Sequence, residues 1–307
     1  MKKFEAMLDA LPPPGVGGGF HTAIFRVACL GREAGLGEEQ IAEMLRLHTK
    51  PGSRPVPDNE IVDAVTAAFR KECGSAPVYT GPRVRPDFLA QCIKSGRGAT
   101  AEDILRRSPV SLDWSDEEGW RSLEFLYRDE ELIFAGDDRT PGVSGCSIRT
   151  RAEWCGAFEA EGGVMEPKFI PNPLTGNPAP KRSGIGETLR GDGCVSAFRF
   201  AVAESDSMPL DDQVAFWMGC PSLPVAMLTF SGSKSIHALL RVDCVDAAEW
   251  DAKVAGELFP GFLVPMGMDP ACRNPARLSR MPGHFRTDKM TIQRCLYLAP
   301  EGKAVAA

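Results

Sequence analysis

Apolar residues recur at helical spacing through the first quarter of the chain. Three such stripes are separated by Gly35-Leu-Gly37 and by a polar, proline-containing stretch before Asp58, which can cap the third helix. The stripes are Phe20, Ile24, Val27, Ala28 and Ala34; Ile41, Met44, Leu45 and His48; and Ile61, Val62, Val65 and Phe69. The pattern predicts a small helical module over residues 1–75. A winged-helix-like bundle that contacts DNA and a helical cap or oligomerisation element both remain open.

Residues 76–115 break this pattern, because they are rich in proline, glycine and arginine. One short helix is predicted at Ala101–Arg107, with Thr100 as its cap and Asp103 placed to complete a capping box. We therefore predict a linker with one short helix.

Residues 116–300 mix both periodicities and predict an α/β (α+β) domain. The apolar runs Val225–Phe230 and Ile236–Val242 predict a hairpin. Helices are predicted at Arg149–Ala160, Asp211–Met218 and Asp246–Leu258. Between them, 167–193 is a long loop rich in proline and glycine, of the kind that is either functional or disordered.

Composition is that of an ordinary soluble protein: 307 residues, 43% apolar and 25% charged, with a net charge of -6. This balance argues against a protein that coats nucleic acid indiscriminately. The segment 273–294 differs, because it contains six cations and a single acid, Asp288. They are Arg273, Arg277, Arg280, Arg286, Lys289 and Arg294. Such a basic wall favours binding of phosphates.

Several classes are excluded. The ten cysteines show no zinc-ligand spacing, and no signal peptide precedes them, so we expect reduced thiols in a cytoplasmic protein. No apolar run approaches the ~20 residues that span a bilayer, so no membrane partner is expected. The glycines of 184–193 are not followed by Gly-Lys-Ser/Thr, which excludes a Walker A loop.

Candidate chemistry is concentrated in three short motifs. Glu204 and Asp206 follow an apolar run, Ser235 and His237 lie at the start of the second hairpin strand, and Asp269 precedes the basic segment. Residues i and i+2 of a strand share a face, so each pair is predicted to point into one site. Three carboxylates, a histidine and nearby cations favour metal-assisted phosphoryl transfer.

In order and setting, these motifs resemble those of the archaeo-eukaryotic primase superfamily, in particular the primase-polymerases of phages, prophages and plasmids. The resemblance extends over Trp120–Leu298 and includes the flanks Phe169-Ile-Pro-Asn-Pro, Pro209-Leu-Asp-Asp-Gln213 and Arg277-Leu-Ser-Arg-Met-Pro-Gly. It implies a catalytic core with an RNA-recognition-motif-like sheet, preceded here by the helical module.

The resemblance also implies roles. Glu204, Asp206 and Asp269 would hold two Mg²⁺ or Mn²⁺ ions; the family's commonest first residue is aspartate, so glutamate leaves the preferred ion open. The triphosphate of the incoming nucleotide would be bound by Ser233, Lys234, Ser235, His237 and Arg280. Arg277 would either bind it as well or form a salt bridge that holds the loop. Arg190 and Arg199, before the first motif, are further candidates for nucleotide or template contacts.

The expected function is that of a DNA primase or primase-polymerase, which transfers nucleotides from NTPs or dNTPs on a single-stranded DNA template. A replication initiator whose primase-like domain binds DNA, and a gap-filling or end-joining repair polymerase, are the alternatives. No helicase follows the three motifs, so we expect either a separate replicative helicase as a partner or a chain that is part of a longer protein.

Overall fold

The computed structural model describes residues 2–14, 20–53, 55–70, 87–160 and 166–306. The chain divides into two compact units, Met1–Gly74 and Ser75–Ala307. In the described chain no helix is both long and apolar enough to cross a membrane.

The first unit is helical, with α1 at Lys2–Asp9, α2 at Phe20–Glu33, α3 at Glu38–His48 and α4 at Asp58–Arg70. Most residues of the predicted stripes of α2, α3 and α4 lie in its core, and α1 adds Phe4 and Leu8 to it. Val62 and His48 are instead exposed, and Ala34 is not part of the core. No strand lies among the described residues of this unit, so they do not include the wing of a winged helix.

The second unit combines helices with antiparallel sheets, in agreement with the predicted α/β (α+β) class. Its helices are α5 Phe88–Gly96, α6 Ala101–Arg106, α7 Ser122–Leu126, α8 Arg151–Ala160, α9 Leu210–Gly219 and α10 Ala247–Glu249. A π-helix, Trp250–Leu263, continues α10, and short 3-10 helices lie at Asp116–Arg121, Asp192–Cys194 and Pro270–Arg273. The strands are β1 Leu132–Gly136, β2 Ile148–Thr150, β3 Lys168–Phe169, β4 Ala179–Pro180, β5 Glu187–Thr188, β6 Phe198–Ala203, β7 Val225–Phe230, β8 Ile236–Cys244, β9 Ser279–Arg280, β10 Phe285–Arg286, β11 Thr291–Ile292 and β12 Arg294–Leu298.

The main sheet has the order β12-β7-β8-β6, with every neighbouring pair antiparallel. Side chains on one face, such as Ala201 and Leu240, pack with α9 and the π-helix. Those on the other face, such as Val202 and Leu239, pack with α7, α8 and β1. Because both faces of the sheet are covered, the sequences of its strands are continuous apolar runs and do not alternate between apolar and polar residues.

The predicted hairpin is confirmed as β7 and β8. The helix predicted at 246–258 extends to Leu263, since its π-helical part accommodates Pro260. The loop predicted at 167–193 is more ordered than expected: it contains β3 and a small β4–β5 hairpin whose turn carries Lys181 and Arg182.

The linker predicted at 76–115 is wrong for the part that the structure describes, while 76–86 lie outside the described residues. Two helices occupy 88–106, and Cys92 and Ile104 are buried in the same core as α9. A Cβ on Gly96 would lie 2.0 Å from the Ala215 carbonyl oxygen, so α5 and α9 meet backbone to backbone. The Thr100 and Asp103 capping box is present as predicted.

Candidate active site

A cavity of about 980 Å³ opens where β6 ends and β8 begins. Ten lysine or arginine side chains line it against four carboxylates, so it is strongly positive although the whole chain is acidic. The cations are Arg139, Lys168, Lys181, Arg182, Arg190, Lys234, Arg277, Arg280, Arg286 and Lys289. A cavity of this charge is suited to a polyanion.

Glu204 lies at the centre of the cluster of charges in this cavity. It directly follows β6, and the register that pairs Ala203 with Ala238 sets it beside His237 of β8. Its Oε2 lies 2.8 Å from His237 Nε2, and its Oε1 accepts a hydrogen bond from Arg277 Nη2 at 2.8 Å. Burial acts to raise the pKa of Glu204, but the hydrogen bond and charge of His237, with the bond from Arg277, outweigh it and hold the pKa well below its usual range. The carboxylate is therefore ionised.

Asp269 is joined to Glu204 through the backbone and through a shared cation. Its amide N donates to the Glu204 carbonyl at 2.8 Å, and its Oδ2 lies 3.5 Å from Arg277 Nη2. The two carboxylates of the first and third motifs thus converge on one guanidinium, an arrangement that offsets their mutual repulsion.

Cys272 is the member of this cluster that the sequence did not reveal. Its Sγ donates to Glu204 Oε1 at 3.3 Å, and ligand atoms of Glu204, Asp269 and Cys272 all lie within 4.8 Å of one another. Burial and the Glu204 carboxylate raise the pKa of the thiol, so it remains protonated. The group that fits a hard divalent ion is therefore the carboxylate pair, with the thiol as its hydrogen-bond donor. The spacing Asp-x-x-Cys was the available signal.

Asp206 and Glu204 line the same cavity, but they are not alternate residues of a strand as the prediction assumed. β6 ends at Ala203, so both acids lie in the loop that follows, where strand alternation no longer applies. The Asp206 side chain is 66% exposed and lies 3.3 Å from Lys234 Nζ. It lines the cavity but is not part of the Glu204, Asp269 and Cys272 group.

The loop between β7 and β8 presents the second motif. Ser235 Oγ and Ser231 Oγ lie 3.1 Å apart, and the Ser231 amide N donates to the Ser235 carbonyl. Gly232 has a φ of +75°, which closes this turn, and it leaves Ser233 and Lys234 exposed to the cavity. Ser235 and His237 both line the cavity, although Ser235 precedes β8 and only His237 lies on the strand. His237 Nδ1 is buried without a hydrogen-bond partner among the described residues.

Gln213 of α9 joins the first two motifs, and sequence reasoning assigned it no role. Its Nε2 donates to the carbonyls of Ser205 at 3.2 Å, Met208 at 2.7 Å and Lys234 at 2.9 Å, and its Oε1 accepts from the Ile236 amide at 2.8 Å. The side chain is almost wholly buried. The flank Pro209-Leu-Asp-Asp-Gln213 contains it, but nothing in the sequence indicated these contacts.

The remaining predicted cations differ in position. Arg280 lines the cavity, and burial followed by the charge of Arg286 lowers its pKa. Arg190 also lines it, while its guanidinium donates to the Asp137 and Asp138 carbonyls. Arg199 does not line the cavity, because it pairs with Glu131 and donates to the Leu126 carbonyl, which makes it a structural residue.

No protein-family model and no curated protein matches the chain. Among solved structures, the chain is similar to the AEP domain of the primase-polymerase of cyanophage S-2L, with 17% sequence identity and a TM-score of 0.39. The match covers 62% of this chain and 94% of that domain.

Proposed function

We propose that the chain is a DNA primase or primase-polymerase with an archaeo-eukaryotic primase core and its RNA-recognition-motif-like sheet, acting in phage, prophage or plasmid replication. The observation that carries the proposal is one strongly positive cavity lined by the first two motifs, to which Asp269 of the third motif is joined through Arg277 and Glu204. A triphosphate and a template backbone both require such a charge. Single-stranded DNA, nucleoside triphosphates and a separate helicase are the proposed partners, in the cytoplasm.

Glu204, Asp206 and Asp269 are the proposed ligands of two Mg²⁺ or Mn²⁺ ions. Held by these residues, two such ions would supply activation of the attacking oxygen and stabilisation of the pyrophosphate leaving group. Glu204 and Asp269 already face one cation, the Arg277 guanidinium, which supports their capacity to hold positive charge between them. Asp206 lies in the same cavity and would join them by exchanging its contact with Lys234.

The proposed role of the second motif is to orient the nucleotide. Ser233, Lys234 and Ser235 offer hydroxyl and ammonium donors from one tight turn, and His237 holds the Glu204 carboxylate from the adjacent strand position. Arg280 reaches the same cavity from β9. Cations there offset the negative charge that grows on the leaving phosphates.

The test is nucleotide incorporation by the purified chain. Single-stranded DNA and labelled NTPs or dNTPs are supplied with Mg²⁺ or Mn²⁺, with and without an annealed primer. Product without a primer identifies a primase, and product only with a primer identifies a gap-filling or repair polymerase. DNA binding without incorporation under every condition refutes the catalytic proposal and leaves a replication initiator.

A further inference from the structure

The β10–β11 hairpin has two chemically different sides. Arg286 and Lys289 line the large positive cavity. Phe285 and Met290 instead line a second cavity of about 540 Å³, which is mainly apolar in composition. One short hairpin therefore presents cations to one side and large apolar groups to the other.

The apolar side chains of this hairpin are unusually exposed. Phe285 is 45% exposed and Met290 is 76% exposed. They are close in the structure as well as in sequence, since Phe285 pairs with Ile292 and the turn between the strands contains Met290. Large apolar groups grouped together at a surface mark a place where something binds.

The backbone conformation of Met290 also indicates a binding position. Its φ is +52°, and among the described non-glycine residues only Asp243 shares a positive φ. Glycine or asparagine adopts this conformation with less strain than methionine. Because the side chain is mostly exposed, packing within the described chain does not account for methionine here. Strain that packing does not explain is a mark of functional positions.

The hairpin is fixed against the loop that carries the second motif. Arg286 Nη1 donates to the Ser231 carbonyl at 3.1 Å, and a Cβ on Gly232 would lie 2.9 Å from Thr291 Cγ2. A ligand on the apolar side of the hairpin is consequently a neighbour of the proposed triphosphate site.

We propose that the β10–β11 hairpin is a subsite for single-stranded nucleic acid, in which a base stacks on the Phe285 ring beside Met290. Arg286 and Lys289, which have Asp288 as their common ion-pair partner, attract the phosphates of the same strand. This inference rests on the proposed function, because it places a nucleic-acid strand at the edge of that cavity. The same hairpin lines a cavity with ten cations, and this charge favours nucleic acid over a protein partner. An aromatic ring beside a basic groove is the usual means of binding single strands without sequence preference.

The test compares Phe285→Ala with Phe125→Ala, using fluorescence anisotropy of a labelled oligothymidylate and of an abasic strand of equal length. Phe125 is a matched control, since it is 46% exposed and lines neither cavity. We expect Phe285→Ala to bind oligothymidylate about tenfold more weakly. Binding of the abasic strand, which keeps phosphates but has no bases, is expected to stay unchanged. Phe125→Ala is expected to match the wild type on both strands.

Two results overturn the inference. An equal loss on both strands means that Phe285 supports the fold of the basic rim and does not stack. No loss on either strand means that the apolar side binds something other than nucleic acid. Met290→Gly adds a check, because it relieves the backbone: its melting temperature is expected to rise or hold while oligothymidylate affinity falls. A wild-type chain that incorporates nucleotides but shows no Phe285 effect refutes this inference alone. A chain that shows the effect without incorporation refutes only the proposed catalysis.

Discussion

Replacing Gln213 by leucine tests whether the first two motifs are held together by one side chain. The substitution keeps a similar volume and removes all four hydrogen bonds of the amide. The buried Ile236 amide then has lost its acceptor, which costs about 1–3 kcal/mol. Each of the three carbonyls that loses its donor adds about 0.5–1.5 kcal/mol. Allowing for the apolar gain of leucine, we expect the free energy of unfolding to fall by about 3 kcal/mol.

Gln293→Leu is the matched control. Gln293 is also fully buried, but its Nε2 makes one hydrogen bond, to the Pro167 carbonyl at 3.2 Å, and its Oε1 has no partner among the described residues. Removing an unpaired buried oxygen offsets the loss of the single bond, so the expected cost is about 1 kcal/mol or less.

Urea unfolding followed by tryptophan fluorescence measures both variants, and incorporation assays add the functional readout. Loss of Gln213 frees the loop containing Lys234, so the KM for nucleoside triphosphate is expected to rise more in Gln213→Leu than in Gln293→Leu. Equal unfolding free energies for the two variants, or an unchanged KM in Gln213→Leu, would refute the reasoning.

Three further predictions concern Asp206, Arg277 and the core residue Ile104 of the second unit. Asp206→Ala is expected to abolish incorporation with an unfolding free energy within about 0.5 kcal/mol of wild type, because its pair with Lys234 is exposed; full activity at saturating Mn²⁺ would remove Asp206 from the metal site. Arg277→Gln leaves Glu204 and Asp269 without their shared cation, so stability without metal is expected to fall by about 1–2 kcal/mol and the rise in melting temperature on adding Mn²⁺ to exceed that of wild type; an unchanged response to Mn²⁺ would contradict this. Ile104→Ala is expected to cost about 2–4 kcal/mol in urea unfolding, since Ile104 is fully buried in the core of the second unit; a cost near zero would restore the linker interpretation.

Local signals predicted the parts of the fold that depend on local sequence. The β7–β8 hairpin follows from two apolar runs around a small polar loop, and the Thr100 capping box from its spacing. α5 was missed because its glycine-rich end reads as a linker, whereas Gly96 serves a close helix crossing with α9 that only the tertiary structure reveals. Pro260 similarly made the preceding helix look shorter than it is.

The sequence predicted which residues belong to the site better than it predicted how they are arranged. His237 beside Glu204 follows from the antiparallel register of two strands, which the sequence does not contain. Asp206 was assigned to a strand face because the apolar run does not indicate that the strand ends at Ala203. Cys272 and Gln213 escaped because their roles come from contacts with residues 68 and 21–23 positions away along the chain.

Several contacts that assemble the site run between the motifs. The Asp269 amide holds the Glu204 carbonyl, Arg277 contacts both of their carboxylates, and Gln213 joins the loops after β6 and before β8. The second and third motifs therefore each depend on the first for their position, although the separate segments are short. A substitution at any joining residue should thus disturb the nucleotide and metal sites together, whereas one at an exposed member such as Asp206 should disturb chemistry alone. That difference separates residues that position the site from residues that would act in it.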